Sequence, residues 1–204
     1  MAYPTVAGPY GFQPINLIGG QVFAGATRQI PIASGSGTSI FYGDVVRLNT
    51  GGTLSRAATG TTSATDAVGI FLGCAFTNPT TSQFLQTQYY PGGTVASDIV
   101  AYVCDDPDAL FKVAVLSTST AISGLTRAAV GQNVAFFLTA GSTTSGDSKE
   151  GVYNSTGSTT TLPFRIVDVV PETVNASGSY TEVIVKFNFG VHTYTSATNV
   201  VTAA

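Results

Sequence analysis

Short stretches of strict apolar–polar alternation, cut every few residues by Gly, Ser, Thr or Pro, constrain this chain more than any other feature. In Glu182 to Phe189, Val183, Val185, Phe187 and Phe189 fall on one side; Glu182, Ile184, Lys186 and Asn188 fall on the other. A period of two places successive side chains on opposite faces of an extended strand, so this segment reads as a half-buried antiparallel strand. Phe164 to Val170 and Asn133 to Leu138 read the same way. Ala67 to Ala75 sets Val68, Ile70, Leu72 and Cys74 opposite a mostly small face of Gly69, Phe71, Gly73 and Ala75, which lets another backbone come close. Ile99 to Cys104 is apolar on both faces, as a central strand is. Asp105, Asp106, Pro107 and Asp108 end it, and Ala109 to Leu116 follows as a strand, with a short Pro-capped helix as the alternative. Gly43 to Leu48, Thr50 to Thr53 and Leu54 to Ala57 form a hairpin. With weaker candidates this makes roughly ten strands, so the expected class is all-β, an antiparallel barrel or sandwich.

Composition narrows the setting. Apolar residues are 44% of the 204, while charged residues are only 9%. An average domain carries roughly 25% charged residues. No apolar run reaches the ~20 residues of a membrane-spanning helix. Met1 to Gly20 lacks a basic stretch and carries Pro4, Pro9 and Pro14, unlike a signal peptide. Strands that are apolar on both faces suit a dry core better than a transmembrane barrel, so no membrane partner is expected. Disordered chains are apolar-poor and highly charged, which this chain is not. The reading left is a protein that hides surface in an assembly. Eight scattered Lys and Arg residues and a net charge of −3 give no basic patch, so no direct nucleic-acid binding is expected.

Ser, Thr and Gly fill the loops at Thr59 to Thr65, Thr77 to Ser82 and Thr139 to Thr161, with Gly141 to Gly151 read as the most flexible. Residues 1–34 place Tyr3, Tyr10, Phe12, Ile15, Leu17 and Phe23 among prolines and glycines. That is too apolar for a solvated tail and too broken for regular structure. It reads as an extended N-terminal arm, laid on this chain's body or on a neighbour, with those six residues as partner contacts; an ordinary first strand is the alternative. Residues 35–204 form the β-rich body, with a possible subdivision near residues 117–125.

Reactive constellations are scarce. His192 is the one histidine, and no Gly-x-Ser-x-Gly elbow presents a nucleophile. No Cys-x-x-Cys exists, and Asp105, Asp106 and Asp108 lack the Gly and terminal Glu of an EF-hand loop. Gly141 to Ser148 mimics a phosphate loop at its glycines, but Asp147 stands where the lysine belongs. Cys74 and Cys104 read as buried thiols rather than a disulfide. No catalytic residue, metal or cofactor is expected.

Gly43-Asp44-Val45-Val46-Arg47-Leu48, then Gly52-Thr53-Leu54, then Val68-Gly69-Ile70-Phe71-Leu72-Gly73 resemble a motif series of tailed-bacteriophage capsid decoration (cement) proteins. Val130-Gly131-Gln132-Asn133-Val134, Gly141 to Ser148, Leu162 to Asp168 and Val183 to Asn188 resemble structural proteins of podovirus-like phages. The resemblance spans residues 40–192. It implies a β-tulip-like barrel and a non-enzymatic homotrimer that clamps the major capsid protein on the outer surface of the virion shell. A head fibre, a neck or tail adaptor, and a glycan-binding adhesin module are the alternatives.

Overall fold

The computed structural model describes residues 8–58, 67–174, 180–188 and 192. Twelve strands run through them: β1 (Gln13–Leu17), β2 (Arg28–Pro31), β3 (Val45–Leu48), β4 (Leu54–Arg56), β5 (Ala67–Thr77), β6 (Phe84–Thr87), β7 (Val100–Cys104), β8 (Ala109–Leu116), β9 (Asn133–Phe137), β10 (Gly151–Gly157), β11 (Phe164–Val169) and β12 (Glu182–Phe187). Helix among the described residues amounts to two 3-10 turns, Arg127–Ala129 and Pro171–Thr173. The chain is all-β. Ala109–Leu116 is strand and not helix, because its alternation places Phe111, Val113 and Val115 together in a core.

Strands β8, β10, β9, β11 and β12 pair in that order, and β12 returns to β8, closing a five-stranded barrel. The β8–β10 pair is parallel and the others are antiparallel. A second sheet runs β2-β7-β5-β3-β4 with antiparallel pairs, and a single parallel bridge, Ile32 to Leu54, joins its two ends. Taking the closed barrel as β8, β9, β10, β11, β12 and the second sheet as β2, β3, β4, β5, β7, the neighbours match strand for strand, including the parallel contact of first with third. The chain therefore contains one topology twice, over residues 28–104 and 109–187.

The match extends to single residues. Before β3, Asp44 N–H bonds Phe41 C=O (3.0 Å) across a turn whose third residue, Gly43, has φ +89°. Before β9, Gln132 N–H bonds Ala129 C=O (3.1 Å), with Gly131 at φ +85°. A type II turn demands positive φ at its third position, which glycine adopts without steric cost. Both ladders then carry a bulge at the same place: β5–β7 slips between Phe71 and Gly73, and β11–β12 between Ile166 and Asp168.

Two insertions break the repeat. Strand β6 is added to β5 and has no counterpart on β11. The β9–β10 connection takes residues 138–150, where β3–β4 uses only 49–53.

Each unit has a core. Ile30, Ile40, Val46, Leu54, Phe71 and Tyr90 belong to the first, and Phe111, Val134, Phe136, Phe164 and Val185 to the second. Strand β5 serves both: Val68, Phe71, Cys74 and Phe76 turn into the first cluster, Ala67 and Ile70 into the second. A strand buried on both faces must be apolar on both, which explains its sequence. The small face expected there is used, since a Cβ on Gly69 would collide with the carbonyl oxygen of Cys104.

Residues 8–34 are woven into the body. Strand β1 pairs with Ala109–Lys112 on the edge of β8 opposite β12, and β2 pairs with β7. For residues 13–17 the alternative reading, an ordinary first strand, is the one that holds, since an edge strand tolerates Pro14, a residue without an N–H. The stretch 139–161 contains β10 and a compact turn, Ser142 N–H to Asp147 C=O (2.9 Å). The change from one unit to the next falls at residues 105–108. The segment 117–125 instead turns back on β8 inside the second unit, through a Leu116–Ile122 bridge.

Candidate functional site

The six residues expected to contact a partner scatter. Tyr3 lies outside the described residues. Phe12 is fully buried in this chain's own core, stacked on Phe164 (4.5 Å between centroids) and edge-on to Phe136 (5.9 Å). It is not a partner contact, because apolar ring burial has already been satisfied within the chain. Tyr10 is half-buried; its hydroxyl donates to Glu182 Oε1, and Lys112 Nζ sits 5.6 Å from its ring centroid. Burial, followed by Glu182, holds the Tyr10 phenol well above its usual range. Ile15, Leu17 and Phe23 are half-buried, the last two against the second core. The exposed large apolar side chains are Ile18, Val22 (75% exposed), Phe84 (65%), Val95, Val174 and Tyr180. Ile18 and Val22 sit on the turn after β1, where Gly20 N–H bonds Leu17 C=O (2.9 Å). Alternation in β6 points outward at Phe84 and Gln86; nothing in sequence marked this strand, because an outward Phe looks like a core Phe until its neighbours are known.

A buried ionic cluster joins the two units. Arg56 on β4 places Nη2 2.7 Å and Nε 3.1 Å from Glu150 Oε1, and Nε 3.1 Å from Asp44 Oδ2. Glu150 comes from the long β9–β10 connection, and its Oε2 accepts the Val45 N–H (2.9 Å). Asp44 Oδ2 accepts the Phe41 N–H (2.9 Å). Desolvation raises both carboxyl groups above the ordinary carboxylate range, with Asp44 adding to the rise at Glu150 and Arg56 opposing it. One guanidinium cannot neutralise two fully buried carboxylates, so the trio holds a proton beyond the usual pH. Asp44 Oδ1 is buried without a hydrogen-bond partner among the described residues, while Asp44 Oδ2 and both Glu150 oxygens are spent on backbone or ionic partners, as in a structural joint.

His192 is a second joint. Its ring is fully buried, 4.1 Å from the Phe187 ring, with Nδ1 2.7 Å from Val68 C=O and Nε2 3.0 Å from Asp106 C=O. Both ring nitrogens face backbone carbonyls of β5 and the 105–108 turn. Burial depresses its pKa below the ordinary histidine value. Cys74 and Cys104 are free and buried, and burial pushes the Cys104 thiol up to about 12. Among the described residues no group of three or more His, Cys, Asp or Glu is placed to hold a metal. Asp105 pairs with Arg28, and Asp108 with Lys186 (2.9 Å).

An open groove of about 670 Å³ lies where both insertions meet, lined by Tyr42, Leu72, Gly73, Gln86, Gln88 and Tyr102 with Cys74 and Thr87. Its floor is the β5 bulge: Gly73 has φ +143°, and a Cβ there would stand 3.0 Å from Thr87 C=O. The 142–148 turn holds two of its walls. Tyr42 N–H bonds Gly146 C=O (3.0 Å), Ser148 N–H bonds Tyr42 C=O (2.9 Å), and Gln88 Nε2 donates to Asp147 Oδ1 (2.6 Å). Comparison with protein-family models, curated proteins and solved structures found no match for this chain.

Proposed function

We propose that this chain is a non-enzymatic structural protein of a tailed-phage virion, a decoration protein that binds the major capsid protein on the outer shell as a homotrimer. The observation that carries this reading is the placement of exposed apolar side chains on protruding pieces of a weakly charged chain. Val22 and Ile18 crown the turn after β1, and Phe84 faces out from the added strand β6. Exposed apolar side chains grouped on one turn, as Ile18 and Val22 are, make a surface that a protein partner can cover. The resemblance supports the same reading. Its first motif series forms β3, the β3–β4 turn and β5; its second occupies the equivalent turn, β9, β11 and β12 of the other unit. The joints at Arg56 and His192 suit a rigid clamp.

Cryo-EM of virions that carry the chain tests this. Density repeated over the outer shell, and a lower DNA-release temperature after the protein is stripped, are the expected results. Density confined to the tail, or an unchanged release temperature, would reject the capsid-stabilising role.

A further inference from the structure

The groove between the β5 bulge and β6 is built on a strand that, among the described residues, has no counterpart in the second unit, although the two units share strand order, turn and bulge. At the position of Gly73 the second unit has Asp168, ion-paired to Arg127 (2.9 Å), and there is no strand beside it equivalent to β6. Barrel closure therefore does not require the groove. Both insertions converge on it: β6 supplies Gln86 and Thr87, and the long β9–β10 connection pins Tyr42 and Gln88.

The lining restricts the ligand. None of the eight lining residues carries a charge. A phosphate, a nucleotide or a strongly charged peptide would lose its hydration without a counter-charge. What the groove offers is two half-buried phenol rings, Tyr42 and Tyr102, and two exposed side-chain amides, Gln86 and Gln88. Each amide carries both donors and an acceptor, and each ring presents an apolar face with a polar rim. Asp147 takes one amide donor of Gln88, which orients it before any ligand arrives. A flat apolar face edged by alternating donors and acceptors is the chemical complement of a pyranose ring, with its C–H face and vicinal hydroxyls. The open form admits an internal stretch of a polymer, not only a free end.

We infer that this groove binds a neutral oligosaccharide, the rings of Tyr42 and Tyr102 packing on sugar faces and the amides of Gln86 and Gln88 bonding hydroxyls. This activity is separate from attachment to a shell, since the groove does not include Ile18, Val22 or Phe84.

The test is titration of the full chain with maltohexaose, cellohexaose, hexa-N-acetylchitohexaose and a heparin-derived hexasaccharide, followed by amide chemical shifts. Saturable binding of at least one neutral hexasaccharide in the roughly 0.1–10 mM range is expected, weak as suits a single open site. Shifts should centre on residues 72–74, 86–88 and 102. Tyr102→Ala should weaken binding about tenfold or more, a loss of ~1.4 kcal/mol, while Tyr102→Phe retains most of it. Phe84→Ala should change nothing, and thermal unfolding of each variant checks that it folds. The assignment fails if no neutral hexasaccharide binds, if the heparin fragment binds as well as the neutral ones, or if a folded Tyr102→Ala variant binds unchanged.

Discussion

Gly43 and Gly131 hold the same backbone position in the two repeated units: each N–H donates to a carbonyl across the sheet, Phe71 for one and Ile166 for the other, at 2.8 Å in both cases. Their φ values agree within a few degrees, +89° and +85°. Their surroundings differ. A Cβ on Gly43 would stand 3.0 Å from the Phe12 nitrogen, whereas one on Gly131 meets nothing within 4 Å. Gly131→Ala should therefore cost only the left-handed strain, roughly 1–2 kcal/mol. Gly43→Ala should cost more, because backbone must also move. Urea unfolding of the two variants compares them directly; equal losses would show that the turn geometry alone governs both sites.

Removing Arg56 leaves Asp44 and Glu150 buried without their cation. Arg56→Met should destabilise the chain by about 3–5 kcal/mol at neutral pH, as for other broken buried pairs. Part of this loss should disappear in acid, where the carboxyl groups take up protons.

The two joints pull stability in opposite directions with pH. Glu150 has a raised folded pKa, so its contribution is fully present below its unfolded value near 4.5 and is lost as pH rises through the folded value. His192 has a depressed folded pKa, so its contribution is present above its unfolded value near 6.5 and is lost as pH falls through the folded one. Glu150→Gln should remove the loss on the alkaline side, and His192→Asn should flatten the decline on the acid side. Denaturant midpoints measured from pH 4 to 9 for the three proteins give the slopes; an unaltered acid-side slope in His192→Asn would mean that other groups set it.

Phe12 and Val22 separate stability from attachment. Phe12→Ala empties a site between two rings and should cost about 3–5 kcal/mol. Val22→Ser changes an exposed side chain and should leave stability within about 0.5 kcal/mol. If the turn after β1 contacts a shell, Val22→Ser should nevertheless lower occupancy on capsids in a sedimentation assay. Loss of occupancy only when stability is lost would remove this turn from the contact surface.

Cys74 and Cys104 should be silent toward a thiol reagent such as DTNB in the native protein and titrate as two thiols once unfolded, since both are buried and Cys104 ionises only near 12. A fast-reacting native thiol would indicate local opening of β5 or β7.

Alternation by itself determined the class of the chain and most strand positions, because a period of two assigns each side chain to a face before any partner is chosen. Glu182 to Phe187 and the hairpin at Gly43 to Ala57 were legible for that reason; Ala67 to Ala75 was legible as a strand but not in its faces, because bulges along β5 interrupt the alternation and send Val68 and Ile70, assigned to one face, into different cores. The glycines that begin β3 and β9 were visible as turn formers, and the scarcity of charge as a property of the surface. A first strand near Pro14 was legible only as one of two readings of residues 1–34, and the Ser/Thr-rich composition of 139–161 concealed β10, because edge pairing and a neighbour's backbone override local preference. The repeat stayed hidden for a related reason: Phe71 answers to Ile166, Gly73 to Asp168 and Asp44 to Gln132, so what recurs at these positions is hydrogen-bond register and not side-chain identity, the φ match and the shared glycine being confined to the Gly43 and Gly131 turns. Only closure of the sheets decided that β5 would serve two cores, that Glu150 would reach Arg56 across the joint, and that Phe12 would fall inside rather than on a partner. Those outcomes depend on contacts between residues as much as 172 positions apart, as at Tyr10 and Glu182, which no local pattern encodes.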